Sequence, residues 1–153
     1  MDARIMPGAV LGLKEGVCCV FSPLVVAAQH PPLTPPQDMH VIRNAGGRAS
    51  EAVRSICISQ QLLGTTEVYV IHHTDCGMLC FKDSDIAGII KTNLGVDVGD
   101  RKFLPFSDVD ESVREDVALL EAEPLVKPGT SIIGLTYDVA SGKLREVAKA
   151  TKA

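Results

Sequence analysis

The stretch VIHHTDCGM (residues 70–78) puts His73 and Cys76 three apart, just where a β-branched run ends. Imidazole nitrogen and thiolate sulfur are both good zinc donors. At the carboxyl end of a parallel strand the following turn can bring the two toward one point, on the edge where such sheets bind ligands. Neighbouring strand residues leave on opposite faces, so His72 and His73 do not easily share one metal. A lone His-x-x-Cys also occurs as a structural coincidence, and two donors do not complete a zinc site. Cys57 and Cys80 read as small buried hydrophobes, the usual fate of a free cysteine.

The elements that would carry this pair alternate strand and helix. Residues 41–45 (VIRNA) form a short apolar strand candidate that ends in Gly46-Gly47, a permissive turn. Ala49, Ala52, Val53, Ile56, Cys57 and Leu63 then recur at helical spacing, and Gly64 stops the helix. Residues 68–71 are a continuous β-branched and aromatic run, the pattern of a buried parallel strand. Strand, helix and strand make a βαβ unit with an expected right-handed crossover. Downstream, residues 81–94 carry Ile86, Ile89 and Ile90 at helical spacing. Residues 107–121 align Val109, Val113, Val117 and Leu120 on one face, behind an Asp108/Glu111 capping pattern. Residues 130–139 read as a strand that turns at Ser141-Gly142 into another at 144–147. The fold class is α/β, a mostly parallel β-sheet flanked by helices, in a single domain over residues 1–153.

Residues 17–37 (VCCVFSPLVVAAQHPPLTPPQ) break the pattern. They hold five of the nine prolines and no Asp, Glu, Lys or Arg. Neither helical nor strand periodicity runs through them, so they read as a long, unusually apolar surface loop. Cys18, Cys19 and His30 are metal-ligand types, though without an ordered scaffold to converge them.

Composition narrows the functional classes. Apolar residues make up 46% of the 153 and charged residues 22%, a globular balance. A net charge of −4 with no Lys/Arg run argues against nucleic acid as a partner. No apolar run is long enough for a membrane span. The start MDARIM lacks a secretory pattern, which points to the cytoplasm and to cysteines serving as thiols or metal ligands.

Taken together, MDAR (1–4), HVIRNAGG (40–47), LGTTEV (63–68), VIHHTDCGM (70–78), FLPFSDVDESVREDV (103–117) and YDVASGKLREV (137–147) resemble the β-class carbonic anhydrases. The likeness covers nearly everything except residues 17–37. It implies a zinc enzyme that reversibly hydrates carbon dioxide to bicarbonate, assembled as a homodimer or higher even oligomer. Carbonyl sulfide and carbon disulfide hydrolases share these motifs and are the alternative. The resemblance makes His73 and Cys76 two of the Zn2+ ligands. Asp2 and Arg4 match the aspartate–arginine dyad of a C-x-D-x-R motif, in which the aspartate accepts a hydrogen bond from zinc-bound water or becomes the fourth ligand. The arginine keeps that carboxylate ionised.

Two departures from the family accompany these matches. The motif's cysteine falls one place before Met1, so this chain is expected to lack that ligand, the strand leading into it and the N-terminal arm. A non-catalytic homologue is the reading this favours for the literal chain. Residues 17–37 are expected to be a short intron translated in frame: Val17-Cys18 permits the donor sequence GTATGT and Gln37 the acceptor CAG. A genuine inserted loop is the competing reading.

Overall fold

The computed structural model describes residues 17–21, 24–26 and 39–153, and the rest lie outside this description. Six strands form one sheet: β1 (Val17–Phe21), β2 (Leu24–Val26), β3 (Met39–Arg43), β4 (Glu67–His73), β5 (Ser131–Asp138) and β6 (Lys143–Thr151). Their order is β2-β3-β1-β4-β5-β6. The pairings β3–β1, β1–β4 and β4–β5 are parallel, while β2 and β6 run antiparallel to their neighbours. Among the described residues three α-helices accompany the sheet: α1 (Val53–Leu63), α2 (Asp83–Leu94) and α3 (Val109–Ala122). The expected α/β class is what the molecule adopts.

The local signals explain most of these elements. Gly64 closes α1 in the left-handed conformation at φ 75°, and its amide bonds the Ser59 carbonyl. At the start of α3 the Asp108 carboxylate accepts from the Glu111 amide at 2.8 Å, satisfying one of the helix's unpaired donors. Val113, Val117 and Leu120 of α3 are buried, as its apolar stripe requires. They pack with Ile56, Val68, Val70, Val126 and Ile132 into one core. Each fully buried Ile or Leu stabilises the fold by about 1.5–3 kcal/mol. Gly134 lets α3 approach the sheet closely: a Cβ there would lie 2.6 Å from Val113 Cγ1 and 2.7 Å from Val117 Cγ2.

Residues 17–37 require a correction. They were expected to be a surface loop, but β1 and β2 are built from them and join the sheet. β1 lies between β3 and β4, so the two strands of the expected βαβ unit are not neighbours. Five uncharged residues suit an interior strand, where backbone donors and acceptors must be paired. His30 lies outside the described residues.

Candidate metal centre

β4 is longer than its β-branched run, because its ladder with β5 continues to the pair His73↔Tyr137. Both histidines therefore sit on regular strand and depart to opposite sides. His72 is fully buried. Its Nε2 faces two acceptors, the Gly47 carbonyl at 3.2 Å and Asp116 Oδ2 at 3.2 Å, so that nitrogen carries the hydrogen. Its Nδ1 lies 2.7 Å from Ser112 Oγ, and its ring stacks on Phe106 at 5.5 Å between centroids.

Asp116, also fully buried, is the hub of this cluster. It accepts from the Ala49 amide at 3.0 Å and faces Arg48 Nη2 at 3.4 Å. His72 thus ties the end of β4 to α3 and to the Gly46-Gly47 turn. Asp116 and Ser112 went unnoticed in the sequence. The available signal was a carboxylate inside an apolar stripe, three residues after Val113 and four before Leu120.

His73 belongs to the other side. Its Nδ1 donates to the Thr74 carbonyl at 2.8 Å. A carbonyl only accepts, so the hydrogen is on Nδ1, and Nε2 is the nitrogen able to face a metal. Asp75 then takes φ 56°, a left-handed conformation that aspartate tolerates better than most residues, and the chain reverses. Cys76 follows, buried, and its carbonyl receives the Leu79 amide at 3.0 Å in the 3-10 turn Gly77–Leu79. Histidine and cysteine therefore stand within one short turn at the carboxyl edge of the sheet.

In kind, this donor pair fits zinc: one imidazole held in a single tautomer and one buried thiol. In number it is incomplete, for among the described residues no cluster of three or more His, Cys, Asp or Glu is placed to hold a metal. Asp2 and Arg4 lie outside the described residues. Nor does the register place Cys18 of β1 beside this pair. Cys18 pairs in register with Val68, five residues before His73, which is about 16 Å at the usual strand rise. Cys80 is exposed rather than buried, because the 3-10 turn after Cys76 carries it to the surface. Cys57 is only half-buried and bonds the Leu125 carbonyl at 3.2 Å; burial and the nearby Glu123 carboxylate push its thiol pKa up.

No family model matches the sequence. Comparison with individual proteins is decisive instead. Over 150 residues the chain is 39% identical to β-carbonic anhydrase 1 of Mycobacterium tuberculosis, covering 96% of this chain and 77% of that protein. The chain belongs to the β-carbonic anhydrase family. A carbonic anhydrase structure from Streptococcus mutans agrees in fold, with a TM-score of 0.75, 41% identity, and coverage of 97% of this chain and 77% of that one. The family also extends toward other chemistry: a carbon disulfide hydrolase of Saccharolobus solfataricus is 32% identical over 136 residues, 72% of this chain and 66% of that protein. As a β-carbonic anhydrase family member, the chain has an enzyme's relatives, named for a lyase activity. No helix among the described residues is long and apolar enough to cross a membrane.

Proposed function

We propose that this protein is a zinc-dependent carbonic anhydrase that interconverts carbon dioxide and bicarbonate. The observation that carries the reading is His73 and Cys76 at the carboxyl edge of β4, with the His73 ring fixed by the Thr74 carbonyl. Zinc bound there would supply Lewis acidity, for which carbonic anhydrases are the standard case, making a bound water acidic enough to attack carbon dioxide near neutral pH. On this reading Asp2 would hydrogen-bond the reacting water or serve as a further zinc ligand, and Arg4 would keep its carboxylate ionised. In the C-x-D-x-R motif that Asp2 and Arg4 match, a cysteine two residues before the aspartate is the remaining protein donor, a position that the 153 residues do not include. An even oligomer completes the proposal. It is supported by α2, which buries no residue of its own and exposes Ile89, Leu94 and the following Val96.

The carbon disulfide hydrolase relative favours a second reading, hydrolysis of carbonyl sulfide or carbon disulfide by the same centre. Metal content per chain and parallel assays on carbon dioxide, carbonyl sulfide and carbon disulfide separate the two. The first reading expects bound zinc and carbon dioxide hydration well above the other rates, both lost in His73→Ala. Faster turnover of either sulfur substrate would replace it with the second, and hydration unaffected by His73→Ala would end the site assignment.

A further inference from the structure

Thr74 does more than fill the space between the metal-binding side chains. Its backbone and side chain are held at three points. Its amide donates to the Tyr137 carbonyl at 2.9 Å, extending the β4–β5 ladder one residue past its regular end. Its Oγ1 accepts from the Val139 amide at 3.1 Å, a contact spanning 65 residues of chain. Its carbonyl receives Nδ1 of His73. Only the last contact touches a proposed ligand; the other two anchor, on either side of its Cα, the residue that carries that carbonyl.

The far side of this clamp is itself rigid. Val139 follows Asp138, whose carboxylate accepts from the Ala140 and Ser141 amides at 2.8 and 3.1 Å, while the Gly142 amide bonds the Asp138 carbonyl at 2.8 Å. Asp75, in its left-handed conformation, sets the other side of the Thr74–Asp75 peptide. A carbonyl held this way has little freedom to swing away from the ring.

We propose that Thr74 is a positioning residue for His73: its hydroxyl, by gripping the turn after β5, aims the Thr74 carbonyl that fixes the tautomer and orientation of the imidazole. The inference rests on the zinc reading of the site. Partners that orient a metal-binding histidine typically contribute about 10–100-fold to metal affinity, and the geometry assigns that influence to a hydroxyl one residue removed.

The test compares Thr74→Val, which keeps the shape and loses the acceptor, with Thr74→Ser, which keeps the acceptor. Gly134→Ala serves as a control that stresses the core away from the loop. Zinc affinity is read by competition with a chromophoric chelator, and ligand geometry by the visible absorption of the cobalt(II)-substituted protein. Thr74→Val is expected to bind zinc about 10–100-fold more weakly and to alter the cobalt spectrum. Thr74→Ser and Gly134→Ala are expected to match the unsubstituted protein. Unchanged affinity and spectrum in Thr74→Val, or equal damage in Thr74→Ser, would overturn the proposal. If Thr74→Val fails to fold, Thr74→Ala carries the same comparison.

Should the unsubstituted protein take up no zinc, the zinc reading fails by itself and nitrogen NMR of the His73 ring still decides the positioning. A single Nδ1–H tautomer in the native and Thr74→Ser proteins that becomes mixed in Thr74→Val sustains it. The same tautomer in all three removes it.

Discussion

Replacing Asp116 with alanine should be among the most damaging single changes near the site. The carboxylate is fully buried and has three partners: the Ala49 amide at 3.0 Å, His72 Nε2 at 3.2 Å and Arg48 Nη2 at 3.4 Å. Removing one member of a buried ion pair typically costs about 3–5 kcal/mol, because the other is left without compensation. Arg48 is 11% exposed and keeps Glu115 at 3.0 Å, a partner that is 55% exposed. The lower end, about 3 kcal/mol, is therefore expected, against a total stability of about 5–15 kcal/mol for a typical domain. With a urea slope near ~1.5 kcal/mol per molar, the unfolding midpoint should fall by about 2 M. Asp116→Asn keeps an acceptor for Ala49 and His72 but loses the charge facing Arg48, so about half that shift is expected. The double variant Arg48→Met/Asp116→Leu should recover much of the loss, since the stranded guanidinium goes with its partner. Urea melts followed by circular dichroism measure all three. A midpoint shift below about 0.5 M for Asp116→Ala, at unchanged slope, would refute the argument that this network anchors β4.

Other consequences follow from named contacts. Gly134→Ala places a methyl 2.6 Å from Val113 Cγ1 and should cost about 1–3 kcal/mol, visible as a lower thermal midpoint. Burial alone would raise the Asp110 pKa, but the Thr136 hydroxyl and the Arg145 and Arg114 guanidinium groups together hold it below the usual carboxylate value. Its contribution is therefore complete above an unfolded pKa near ~3.9 and disappears as pH falls through the folded value. Asp110→Asn should flatten the acid limb of a stability–pH curve. Because Asp110 is 27% and Arg145 61% exposed, the loss at neutral pH should stay below about 1 kcal/mol. Cys76→Ser should abolish zinc uptake with only a small change in the urea midpoint, measured by metal analysis beside the same melts. Hydrogen exchange should find amides of Val17–Phe21 protected, since all five residues pair with β3 and Val17 and Cys18 also pair with β4; exchange at solvent rates throughout would remove β1 from the sheet.

Much of the fold was legible because the signals were local. The apolar stripe of α3, the Gly64 stop of α1 and the β-branched run of β4 each depend on residues within a few positions of one another. The exact end of β4 did not, since only pairing with Tyr137 across the sheet keeps His72 and His73 on regular strand. Cys80 was misread for a similar reason: the burial of one small residue depends on where the following turn carries it. The spacing of His73 and Cys76 already put both within one turn at the end of the β-branched run, while their reading as zinc donors came from the family resemblance. Thr74 gave no such signal, for two of its three partners, Tyr137 and Val139, lie more than sixty positions away.

β1 shows how one sequence criterion can lead to two answers. A continuous apolar run is enough to read residues 68–71 as a buried parallel strand, yet VCCVF has the same character and reads as loop because the segment it opens holds five prolines and no periodicity over its length. Proline forbids a ladder donor only at its own position, so Pro23 and the later prolines bound a strand without excluding one. What the sequence does not encode locally is demand. Parallel strands β3 and β4 are held apart by one strand width, and the groups facing that gap need partners. A charge-free apolar segment close by in the chain meets that need at low loop-closure cost. The same register that admits β1 sets Cys18 beside Val68, near the opposite end of β4 from His73. The segment can therefore complete the sheet without adding Cys18 to the candidate metal centre, and sheet integrity and the proposed zinc binding should respond separately to changes within it.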